Sequence, residues 1–121
     1  MFVTSQGSLR HQFQRALERG SVVDAISAAK AMGRLGLGDA LALCVVMAER
    51  DPVRYGRAAP RWLSRFGEEA ADVSLEELQI VTAALVALPT AKHVALPVLR
   101  ELVNSRRLVT VQRVFEDFVE V

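Results

Sequence analysis

Four arginines, at 54, 57, 61 and 65, stand among the aromatics Tyr55, Trp62 and Phe66 in the stretch RYGRAAPRWLSRF. Guanidinium forks match phosphate and carboxylate, and neighbouring aromatic rings stack on bases. These residue types in this order are therefore what an anion or nucleic-acid site would use. On a helix the arginine spacing of 3, 4 and 4 makes one narrow stripe. Tyr55, Ala59, Trp62 and Phe66 make a second stripe about a quarter-turn away. The geometry is amphipathic, with aromatics inward and arginines outward. Pro60 complicates it, because a helical proline removes one hydrogen bond and presses on the carbonyl four residues back. A kink or break is expected between Gly56 and Pro60, with the stripe divided in two. The acidic run that follows offers the simpler explanation of the charge. Glu68, Glu69, Asp72, Glu76 and Glu77 have no cation among them, so neutralisation within the fold would account for both clusters. Arg54, Arg57, Arg61 and Arg65 are kept as candidate anion- or partner-binding residues beside that reading.

Other chemistry is thin. His11 and His93 are far apart in sequence, and no His/Cys/Asp set has metal-ligand spacing. Carboxylates 68, 69 and 72 lack the Glu-x-x-His partners of a bundle di-metal site. Cys44 sits in the apolar run ALALCVVMA, the setting of a buried thiol and not of an activated one. GRLGLGD has a turn's glycines, but no credible strand precedes it as a dinucleotide loop requires. The helix after it offers almost nothing polar to read bases with. We expect no catalytic residue, no cofactor and no metal.

Composition agrees. The chain has 121 residues, 51% apolar and 24% charged, with a net charge of +1, so there is no global field drawing it to nucleic acid. Thirteen of the fifteen basic residues are arginine, a skew that phosphate recognition or a GC-rich coding bias would each produce. A lone cysteine excludes an internal disulfide. The N-terminus lacks a signal-peptide layout and no apolar run reaches spanning length, so a cytoplasmic protein with no membrane partner is expected.

The elements that must position these residues are all helical. Strand-like alternation is absent. Ser8 is expected to cap a first helix ending at Gly20, and Ser21 a second ending at Gly33. A third runs from about Leu37 to Arg50, and Asp51-Pro52 opens a fourth carrying the arginines. Ser74 and Glu77 form a capping box for a fifth, which stops before Pro89. A sixth is expected from about Val94 to Asn104, with Pro97 in its first turn, and a seventh from about Arg107 to Glu120. The third and fifth are apolar nearly all round and should lie centrally. The fold class is all-α, a compact bundle or short stack of about six to seven helices. It is read as one domain, 1–121, with 1–7 a loose N-terminal segment.

In the last helix Leu108, Val111, Phe115 and Phe118 repeat at 3, 4 and 3, the seam spacing of a helix pair, and are a candidate interface. The expected role is a non-catalytic helical protein–protein interaction module or a self-associating subunit, a homodimer included. Nucleic acid is not an expected partner. The alternative role is weak nucleic-acid or anion binding through the arginine stripe.

Overall fold

The computed structural model describes the backbone of residues 5–70 and 72–119, and side chains from 7–70 and 72–105. The described residues are all-helical, with six helices in order: α1 (Ser5–Arg19), α2 (Val22–Met32), α3 (Leu37–Arg50), α4 (Pro52–Glu69), α5 (Leu75–Ala87) and α6 (Lys92–Val119). No strand occurs among the described residues. The backbone gathers into two compact units, Met1–Trp62 and Leu63–Val121, and α4 contributes to both.

Local chemistry explains most of the boundaries. Gly20 takes a φ of +73°, and its N–H bonds to Leu17 O at 3.0 Å while that of Ser21 reaches Ala16 O at 2.9 Å. Those paired bonds form a Schellman cap, which needs a left-handed residue and favours glycine. Ser21 then caps α2, its hydroxyl accepting from the Asp24 N–H at 3.3 Å. Asp51 closes α3 by donating its N–H to Met47 O at 2.7 Å, and opens α4 by accepting from the Arg54 N–H at 3.3 Å. Ser74 and Glu77 form the full reciprocal capping box.

Three expected boundaries are corrected. Ser8 is not a cap, since α1 already begins at Ser5; the backbone of Ser5–Gly7 is helical. Of the kink or break expected at Gly56–Pro60, the break does not occur, and α4 continues as helix through Pro60 to Glu69. The sixth and seventh helices are one, Lys92–Val119. The intervening Asn104-Ser105-Arg106 holds neither glycine nor proline, so nothing there is strong enough to end a helix. Because α6 starts at Lys92, Pro97 is its sixth residue and lies beyond the first turn.

In the first unit α1 and α2 pack together and both meet α3. Phe13 is fully buried among Ala16, Ala25, Ala28 and Ala29, with Leu17, Met32, Leu35 and Leu43 around them. The alanines of α2 let the backbones approach, so one aromatic ring fills the space between helices. α3 is covered along its apolar centre: from Leu41 to Ala48 no residue is exposed. In the second unit α5 packs on α6. Phe66, Val81, Leu88 and Leu99 are its most buried large side chains. α5 departs from expectation. Val81, Ala84, Leu85 and the following Leu88 are buried, but Leu75, Ile80, Ala83 and Val86 are exposed.

Candidate functional site

The inward stripe of α4 is as the spacing predicts. Tyr55, Ala59, Trp62 and Phe66 are all buried. The Trp62 indole donates to Leu37 O at 3.0 Å, tying α4 to the start of α3. Burial pushes the Tyr55 hydroxyl up to about 12, with the neighbouring Cys44 adding to the shift. Burial likewise raises the Cys44 thiol from 9.0 to about 11. Cys44 is thus a core side chain, shifted by desolvation in the direction opposite to that of a reactive thiolate.

The outward stripe divides by partner. The Arg54 Nη1 donates to Asp51 Oδ2 at 2.9 Å, so its partner is the helix's own cap residue and not the acidic run. The Arg65 fork grips Glu69 through Nε at 2.6 Å and Nη2 at 3.3 Å. Arg57 and Arg61 are exposed and make no ion pair with any described residue. Neutralisation by the acidic run therefore covers one arginine of four. Two more of that run have local work: Glu77 closes the capping box, and Glu76 stands in the first turn of α5, where a carboxylate suits the helix dipole. What remains of the proposed anion site is Arg57 and Arg61, one turn apart on a solvated face.

The second candidate surface, Leu108, Val111, Phe115 and Phe118, has its side chains outside the described residues. A different apolar surface was missed by the sequence reading. Leu75, Ile80 and Val86 on α5 are 72%, 49% and 75% exposed, and Ala83 lies between them. Leu75, Ala83 and Val86 fall within about a quarter-turn on the helix, with Ile80 on the flank and Glu76, Gln79 and Thr82 interspersed. The signal was present, since a helix apolar on every side is either fully covered or presents an apolar face. Sequence alone does not choose between these.

His11 and His93 are both exposed, His11 on α1 and His93 in the first turn of α6. Among the described residues no group of three or more His, Cys, Asp or Glu side chains could hold a metal ion. No described helix is long and apolar enough to cross a membrane. No protein-family model, no curated protein and no solved structure matches the chain.

Proposed function

We propose that this chain is a non-catalytic helical interaction module, cytoplasmic, that binds a protein partner or a second copy of itself through the open face of α5. The observation that carries this is the exposure of Leu75, Ile80 and Val86 on a helix whose opposite side holds the second unit's core. Single exposed apolar side chains are ordinary, but several grouped on one face mark a contact surface. Burying a valine or leucine there would contribute about 1.5–3 kcal/mol each. Val86→Asp tests the idea, because an exposed position tolerates the change in fold and an interface does not. Association lost from a variant of unchanged helicity supports the role; association unaffected by the variant contradicts it.

A second reading rests on Arg57 and Arg61, whose guanidinium groups are exposed and unpaired among the described residues. With Arg54 and Arg65 already paired, two phosphate contacts are expected and not four. The log–log salt slope for duplex DNA should then be about −1.8, and the double variant Arg57→Ala/Arg61→Ala should bring it close to zero. No binding at low salt would remove this reading.

A further inference from the structure

Between α1 and α2 lies an open cleft of about 350 Å³, lined by Leu9, Gln12, Arg15, Arg19, Asp24, Ser27, Ala28 and Ala31. It arises from unequal walls. α1 contributes long side chains at 9, 12, 15 and 19, all on one face, while α2 opposes them with serine and two alanines at 27, 28 and 31. The small side chains leave space that the long ones do not fill. Its volume is within the range of small-molecule sites.

The polar groups around it are available. Gln12, Arg15 and Ser27 make no hydrogen bond or ion pair with any described side chain. Arg19 uses one Nη on Asp24 at 3.0 Å, leaving other N–H groups of its fork unused. Two guanidinium groups against one carboxylate leave the cleft with one positive charge. Leu9, half-buried, and Ala28, buried, give it an apolar wall.

From this we infer that the cleft binds a small organic monoanion, a carboxylate on a short apolar chain. Arg15 and the free edge of Arg19 take the carboxylate, Gln12 and Ser27 complete its hydrogen bonds, and Leu9, Ala28 and Ala31 take the chain. A guanidinium fork holds a carboxylate bidentately, and one surplus charge matches a monoanion. This site is in the first unit and is independent of the α5 face.

The probes are hexanoate and, with the charge reversed, hexylammonium, followed by the backbone amide resonances of the full chain. Hexanoate is expected to shift residues 12, 15, 27 and 31 saturably, and hexylammonium is not. Arg15→Gln removes an exposed group without a protein partner, so the fold should survive, and hexanoate should bind at least about tenfold more weakly. Ala31→Phe fills the cleft from an exposed position and should abolish the shifts while circular dichroism stays helical. The proposal is overturned by an absence of saturable shifts with hexanoate, or by equal shifts with hexylammonium. Arg15→Gln binding as well as the parent, or Ala31→Phe leaving hexanoate binding intact, would overturn it equally.

Discussion

Cys44 and Tyr55 show what burial does to groups that would look chemical in a list of residue types. Each is desolvated, and each holds its proton to a higher pH than in the unfolded chain, Cys44 to about 11 and Tyr55 to about 12. The folded state therefore binds more protons than the unfolded state across that window, and stability must fall as pH rises. The contribution is fully present below the ordinary thiol value of 9.0 and is lost progressively up to about 12. Thermal melts followed by circular dichroism should show a midpoint that declines once pH passes 9.0. In Cys44→Val the decline should begin nearer 10.0, the ordinary value of tyrosine. A midpoint that rises with alkalinity would contradict the buried assignment of both groups. At this scale the sequence was readable for Cys44, whose neighbours on both sides are apolar. It was readable for the arginines only through helical spacing. Pairing of Arg54 with Asp51 follows from the start of α4, and of the other three only Arg65 has a carboxylate, Glu69, four residues on, while Arg57 and Arg61 have none three or four residues away.

Helix starts were legible wherever a side chain caps them, as at Ser21, Asp51 and Ser74, because those bonds are made within three residues. Stops were legible where glycine or proline enforces them, and the fusion of two expected helices into α6 occurred where neither stands. Gly20 is the sharpest case of enforcement. A Cβ there would be strained by a φ of +73° and would sit 2.8 Å from the Arg50 Nε. The guanidinium can move aside, but the backbone cannot without losing the Schellman bonds. Gly20→Ala should therefore cost about 1–2 kcal/mol, read as a lowered denaturation midpoint; an unchanged midpoint would mean that the turn adapts. Pro60 makes the converse case. It lies exposed inside an unbroken α4, where Gly56 O lacks its usual donor. Pro60→Ala restores that bond, and after the loss of proline's restriction on the unfolded chain a gain of about 1–2 kcal/mol remains. Destabilisation by Pro60→Ala would show that the ring has a packing role that its exposure does not suggest.

At the scale of the whole chain, the all-helical class followed from composition and period, whereas which apolar faces remain uncovered did not. That depends on how much of each helix its neighbours reach. α3 and α5 read alike in sequence, both apolar nearly all round. α3 has no exposed residue from Leu41 to Ala48, while α5 leaves Leu75, Ile80 and Val86 to solvent. The interaction role rests on that difference. Its most direct test is co-purification from the native host, with tagged parent or tagged Ile80→Asp/Val86→Asp chain expressed beside an untagged copy. Helicity and melting midpoint of the two tagged proteins should agree, since both positions are exposed. At least one species, the untagged copy or another protein, is expected to accompany the parent in stoichiometric amount and to be missing from the variant. The same species recovered in the same amounts with both proteins would contradict an interface on α5.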